Sequence, residues 1–493
     1  MDKKQLIAEL FERDILLSPE QVNQLSQSEA NEISLLLDKP EQLEAYLAKP
    51  TATKQAAPIV TPAVLPRASS GISIVKHYAK KPKKRSYQDF VGYWNARFTA
   101  MERFLRSRQD LRGVMSIDRT KQFSASGDKG KSAIIGIVLD KRETKNGHLV
   151  LEIEDRSGSL AVLCTKGKAE VFDVAKDLCL DEMIGVVGSL REGTMFADSI
   201  VLPSLPVGNE LKKAPDEVYA VCISDIHFGN KNFFEKEFSL FLDWLAGNAG
   251  TEESKRVAAK TKYVFIPGDV VEGVGVYPTQ EKDLSVLDIY DQYKLADEWL
   301  SRIPPDKHVF VIPGNHDIGR LSEPQPALSK EVLPKLAARE NTYMLSNPSV
   351  VRIHQTTTFP GFNVLLYHGG SFIYYGNNVM RLFQEGGMSN PCAVMQYLLT
   401  RRHLAPTHTA TLYVPDAQED PLIIDEIPDF LITGHLHTTQ HRTWNGVTML
   451  SCSCWVPITD YQMKSGLKID PGKFMLINLQ TRQTQALKPE DVL

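Results

Sequence analysis

The chain has 493 residues, of which 42% are hydrophobic and 24% charged, and its formal net charge is −4. That length exceeds one ordinary core and implies about two to four domains. The near-neutral balance excludes a uniformly basic nucleic-acid coat, leaving local patches or a partner to make any such contact. No run approaches the ~18 apolar residues needed to span a bilayer. Cysteines at 164, 179, 222, 392, 452 and 454 form no CxxC pair, as in a reducing compartment. Met1-Asp2-Lys3-Lys4 leads into an amphipathic segment rather than an apolar signal core. A soluble, cytoplasmic protein with no membrane partner is expected.

Residues 1–48 predict a small N-terminal helical unit. Ser18-Pro19-Glu20-Gln21 supplies an N-cap, a proline at the first helical position and a capping-box glutamine, and Ile33, Leu35, Leu36, Leu37, Leu43, Tyr46 and Leu47 give an apolar side. The unit suits either an interaction module or a cap packed on the rest of the chain. Residues 49–85 predict a flexible linker, rich in proline at 50, 58, 62 and 66. Its end carries a basic cluster of Lys76, Lys80, Lys81, Lys83, Lys84 and Arg85, which suits a phosphate backbone or a solvated charge run. A helical connector over 86–131 follows, with Phe90, Trp94, Phe98, Met101 and Leu105 on one face as core.

From 132 to 203 the period changes to two. Strands are predicted over 133–139, 149–154, 160–164, 184–190 and 195–202, with a turn at Asn146-Gly147 and a short helix over 169–177. Three strands, a helix and two strands resemble an OB-fold barrel. Such barrels bind single strands or dock proteins, and the few aromatics here leave both open. Residues 216–493 predict one α/β unit. Its apolar runs Tyr219–Ser224, Tyr263–Pro267, Val309–Pro313, Val364–Tyr367 and Phe430–Thr433 alternate with helices such as 234–246 and 285–303.

Five motifs sit at the carboxyl ends of those strands, where layered α/β folds collect functional residues. They are Ser224-Asp225-Ile226-His227, Gly268-Asp269-Val270-Val271-Glu272, Gly314-Asn315-His316-Asp317, Tyr367-His368-Gly369-Gly370 and Gly434-His435-Leu436-His437. Any one of them reads as turn chemistry, but the ordered set reads as a metal site. Carboxylates and imidazoles without thiolate suit Mn, Fe, Zn, Co or Ni. The candidate ligands Asp225, His227, Asp269, Asn315, His368, His435 and His437 are too many for one tetrahedral zinc. They suit two ions ~3.5–4 Å apart sharing a carboxylate, which activate a water for in-line attack on phosphorus. Cys452-Ser453-Cys454 lacks a second Cys/His pair and reads as strand packing.

The five motifs resemble the calcineurin-like metallophosphoesterase superfamily. More narrowly, Ser224–Gly229 with Glu235–Phe238 and Phe241–Leu245 is similar to the small subunits of archaeal family D DNA polymerases. So are Pro313–Asp317 followed by Glu323-Pro324-Gln325-Pro326-Ala327, Arg401–Pro406 and Gly434–His437. The likeness covers roughly residues 130–480 and departs at Cys452 and Cys454, where no ligand is expected. It implies a four-layer α/β/β/α domain behind an OB-fold and a two-metal 3′→5′ exonuclease that proofreads for a large polymerising subunit, with manganese first among the ions. It further implies that Asp225, His227 and His437 hold one ion, that Asn315, His368 and His435 hold the other, and that Asp269 bridges them. His316 would protonate the leaving 3′-oxygen or steady the phosphate, with Asp317 orienting it or only stabilising the turn. The implied partners are the large subunit, DNA 3′ ends and, through the N-terminal unit, other replication factors. A catalytically silent scaffold and a free-standing small-molecule phosphodiesterase are the alternatives; the intact ligand set opposes the first, the OB-like domain the second.

Overall fold

The structure, a computed structural model, describes residues 71–125, 130–206, 208–459, 462–463 and 468–493. The expected N-terminal helical unit and most of the linker lie outside the described residues.

The first described element corrects the linker boundary. Strand β1 (Ser73–His77) pairs antiparallel with a strand far along the chain, Ser73 opposite Arg352 and His77 opposite Ser349. The basic cluster beside it is answered by acids of the chain itself. Lys76 lies 2.9 Å from Asp425, Lys80 2.9 Å from Asp416 and 2.7 Å from Glu419, and Lys83 2.7 Å from Asp89. Three of the lysines that a phosphate backbone would need are thus already paired within the protein.

Helix α1 (Tyr87–Arg106) opens with a capping box, in which Ser86 and Asp89 satisfy each other's backbone N–H. It buries Tyr93, Arg97, Phe98, Met101 and Leu105, while Phe90 stays at the rim, stacked on Tyr413. Helix α2 (Ile117–Ala125) then leads into β2 (Lys131–Glu143), β3 (Leu149–Asp155), β4 (Gly158–Cys164), helix α3 (Ala169–Asp177), β5 (Met183–Arg191) and β6 (Thr194–Val201). The strands close a barrel in the order β2-β3-β4-β6-β5, with β4 and β6 parallel. Alternate residues such as Leu151, Ile153, Leu160 and Val162 fill it, and Val171, Phe172 and Ala175 of α3 join the same core.

Two six-stranded sheets make up the rest. The strands in chain order are β7 (Tyr219–Cys222), β8 (Thr261–Pro267), β9 (His308–Ile312), β10 (Thr342–Met344), β11 (Ser349–Ile353), β12 (Phe362–Leu366), β13 (Phe430–Thr433), β14 (Gln440–Trp444), β15 (Val447–Ser451), β16 (Phe474–Asn478) and β17 (Thr484–Leu487). One sheet runs β10-β9-β8-β7-β16-β17, the other β1-β11-β12-β13-β15-β14. Along β8, Tyr263 and Phe265 enter a core shared by both sheets. Their neighbours Val264 and Ile266 point into a second core with helices α4 (Glu235–Leu245), α5 (Glu252–Lys260) and α6 (Ile289–Leu300). A strand buried on both faces needs an unbroken apolar run, and the sequence supplies one. Helices α7 (Phe372–Asn378) and α8 (Pro391–Arg401) cover the outer face of the other sheet.

The barrel is fastened to this body by a buried ion pair. Glu182, just before β5, accepts from Arg401 Nε at 3.2 Å and from the Tyr397 hydroxyl, and the Arg401 guanidinium stacks 3.6 Å from the Tyr397 ring centroid.

Candidate metal centre

Every expected ligand lies in a loop that leaves a strand of one sheet or the other. Asp225 and His227 follow β7, Asp269 follows β8 and Asn315 follows β9; His368 follows β12, and His435 and His437 follow β13. The loops are bent sharply: φ is +50° at Asp225, +58° at His227, +50° at Asp269, +71° at His435 and +55° at His437. A non-glycine residue in this region costs about 1–3 kcal/mol and persists only where its surroundings hold it. Here Ile226 N–H and His227 N–H both donate to the Asp269 carbonyl, at 2.8 and 3.2 Å, clipping two ligand loops together. Gly314 and Gly434 are there for space, since a Cβ at either would collide with the Asp269 or Asp225 carboxylate.

The donor atoms converge. His437 Nε2 lies 3.1 Å from Asp225 Oδ1 and 3.2 Å from His227 Nε2. His368 Nε2 lies 3.3 Å from Asp269 Oδ2 and 3.0 Å from Asn315 Oδ1. Asp225, His227, Asp269 and His437 form one group with metal-ligand spacing and Asp269, His368 and His435 another, so Asp269 belongs to both. Among the described residues no lysine or arginine pairs with Asp225 or Asp269. Two buried carboxylates without a protein cation, ringed by imidazole nitrogens, fit divalent cations.

The electrostatics agree with that fit. Burial alone would raise both carboxyls, but the His437 imidazole beside Asp225 and the His368 imidazole beside Asp269 outweigh it and hold both below the usual carboxylate range. Burial and the adjacent His368 push His435 down to about 3, leaving a neutral ring able to ligate. Burial opposes the charge on His368, yet Asp269 overcomes it and lifts the group to about 9, a proton that an incoming cation must displace.

What holds the rings is not legible in the motifs themselves. Glu272 Oε2 lies 3.1 Å from His227 Nδ1, His368 Nδ1 donates to the Pro267 carbonyl at 2.8 Å, and the Gln462 side chain meets His437 Nδ1 at 3.1 Å. With Nδ1 engaged, each ring turns Nε2 inward. Glu272 closes the second motif, and its spacing from Asp269 is the only sequence signal for it. His316 sits at the open rim, its Nδ1 2.6 Å from the Glu272 carbonyl and its Nε2 4.0 Å from Asp269 Oδ2. Asp317 does not touch that ring. It accepts from Gly314 N–H at 2.9 Å, Val270 N–H at 3.2 Å and the Tyr293 hydroxyl at 2.8 Å, so it stabilises the turn. Gln325 donates to the Gly314 carbonyl at 2.9 Å and accepts from Asn347 at 2.6 Å, while Asn347 accepts from His368 N–H at 3.0 Å. That relay gives the Glu323–Pro326 stretch a physical purpose: it ties the two loops of one ligand group together.

Residues 220–442 match the family model for the B-subunits of DNA polymerases alpha and epsilon. The chain is 37% identical to the DNA polymerase II small subunit of Archaeoglobus fulgidus, over 78% of this chain and 74% of that one. It is 30% identical to the Thermoplasma acidophilum protein of the same name, over 98% and 92%. The match to the Methanocaldococcus jannaschii protein of that name, 35% identical, spans 80% of this chain but only 64% of the relative. A solved structure titled as a novel archaeal phosphodiesterase aligns with 55% of this chain and 99% of its own, at 10% identity and a TM-score of 0.27. No helix among the described residues is long and apolar enough to cross a membrane. With 30–37% identity to these small subunits across most of its length, the chain belongs to the family of archaeal DNA polymerase II small subunits.

Proposed function

We propose that this chain carries a two-metal 3′→5′ exonuclease that trims mismatched DNA ends for a large polymerising subunit in the cytoplasm. The observation that supports it is the convergence of the buried donors on Asp269, with a partner on the far nitrogen of His227, His368 and His437. Asp225, His227 and His437 would hold one divalent ion and Asn315, His368 and His435 the other, Mn before Fe, Zn, Ni or Co, with Asp269 shared. Two ions held by these residues would supply a water of lowered pKa and offset charge on the phosphoryl oxygens. Burial pushes His316 down. With Nδ1–H on the Glu272 carbonyl, the ring presents Nε2 to the site, and in its protonated form it would give that proton to the departing 3′-oxygen.

In this reading the sheets and outer helices over 216–493, joined by β1, form a four-layer α/β/β/α phosphoesterase domain. The barrel over 132–203 is an OB-fold that docks it, residues 86–131 connect, and residues 1–48 recruit other replication factors. The barrel's strand order, with α3 between its third and fourth strands, supports the OB assignment.

The test is degradation of a 3′-mismatched primer by the complex with the large subunit in Mn²⁺. His316→Ala should lower turnover by about 10²–10⁴-fold with the fold intact, and an unchanged rate would remove His316 from the mechanism. The match to the polymerase B-subunit model favours a second reading, a silent scaffold, which absence of Mn²⁺ binding in calorimetry would establish. Faster turnover of bis-p-nitrophenyl phosphate than of DNA would favour a small-molecule enzyme.

A further inference from the structure

Beside the metal centre lies a cleft of about 640 Å³, walled by the loop after His227, by residues 277–283 and by residues 457–459. Its volume falls in the range of pockets that take nucleotide-sized ligands. The cleft shares its walls with the site. Asn230 N–H donates to the His227 carbonyl at 3.1 Å. The Tyr277 hydroxyl lies 3.0 Å from a Glu272 carboxylate oxygen and 3.1 Å from one of Asp283, so the tyrosine is held by the carboxylate that also steadies His227. The Tyr277 ring centroid is 6.3 Å from that of His316. Lys231, 3.8 Å from Asp283, and Lys282 put two ammonium groups on the cleft wall. Lysines beside an aromatic ring and a proline, with small polar side chains around them, match what holds a single strand without reading its sequence.

We propose that this cleft binds the single-stranded DNA immediately 5′ of the scissile phosphodiester, with Lys231 and Lys282 on its phosphates and a base against Tyr277. The side of the site is fixed by His316. If that ring protonates the departing 3′-oxygen, the groups flanking it meet the strand that owns this oxygen, which is the upstream strand. The inference therefore rests on the phosphoesterase reading above and gives it a substrate path.

The experiment uses the full-length chain and a fluorescent single-stranded oligothymidylate, with binding measured in EDTA so that nothing is cut. Lys231→Glu combined with Lys282→Glu should weaken binding at least ~10-fold and make the log K against log salt slope shallower by about 1.4, as for two lost phosphate contacts. Turnover of bis-p-nitrophenyl phosphate in Mn²⁺, which is too small to reach the cleft, should stay within about twofold of wild type. Oligonucleotide affinity within twofold of wild type would overturn the cleft assignment. Failure of the wild-type chain, both alone and in complex with the large subunit, to hydrolyse either substrate would instead sink the phosphoesterase reading, while the oligonucleotide affinities still decide the cleft. A second measurement needs no variant: 2-aminopurine at the penultimate nucleotide should be quenched on binding, and at the sixth from the end should not. Equal signals at both positions would also overturn the proposal.

Discussion

Two buried clusters in this chain use the same side chains to opposite ends. Around Asp420, Arg97 Nε donates at 2.6 Å and His403 Nε2 lies at 2.8 Å, while Arg97 also reaches the Pro406 carbonyl and the Tyr93 hydroxyl, each at 2.6 Å. A protein cation answers the carboxylate there, and none of Arg97, His403 and Asp420 has a positive φ. Around Asp225 and Asp269 there is no such cation among the described residues, and the backbone is left-handed at five candidate ligands. The first cluster closes on itself and clamps α1 to the two-sheet body. The second points its donors at one another and is completed only by something from outside.

The largest effect should come from breaking the closed cluster. Arg97→Met leaves Asp420 buried without its cation and should cost about 3–5 kcal/mol in chemical denaturation. A loss below ~1 kcal/mol would mean the pair is not what clamps the helix. The open cluster should respond to metal instead. At a free Mn²⁺ concentration 100 times Kd, wild type should gain about 2.7 kcal/mol, read as a rise in Tm. Arg97→Met should keep that gain and Asp269→Asn should lose it. If the asparagine variant keeps it, Asp269 is not the shared ligand.

Glu323 offers a third case, a buried carboxyl with neither cation nor metal-ligand geometry. Burial pushes it up to about 8, against the hydrogen bonds from Tyr367 and Thr411. Its folded pKa lies above its unfolded value, so its stabilising contribution is full below about 4.5 and is lost as pH rises through about 8. Wild type should therefore lose several kcal/mol across that window from this group. Glu323→Gln should flatten that part of the profile, and a variant with unchanged pH dependence would show that another group titrates there.

The candidate ligands are readable because chemistry fixes both their residue types and their place at strand ends. What holds them is not. Glu272, Gln462 and Asn347 are ordinary polar residues whose partners are set by loop paths, 45 residues of sequence separating Glu272 from His227 and 25 separating Gln462 from His437. β1 hid in a basic, proline-flanked segment because its partner β11 is far along the chain, and strand pairing at that distance leaves no local pattern. Arg97 is the sharpest miss. Nothing in the local pattern singles it out, and only the fold supplies the Asp420 that allows it to be buried.

The smallest test concerns how α1 is held. Ser86→Ala removes the hydroxyl of the capping box at its start and should cost about 1 kcal/mol. Ser86 and Arg97 are eleven residues apart, about 16 Å along a helix, and share no hydrogen-bond partner. If the cap only starts the helix while Arg97 clamps it, the double variant should lose the sum of the two single costs within about 0.5 kcal/mol. A smaller combined loss would mean that α1 frays back to its clamp once Arg97 is gone. In that case the closed cluster organises the helix as well as anchoring it, and its contrast with the open candidate site would be one of folding order as well as charge.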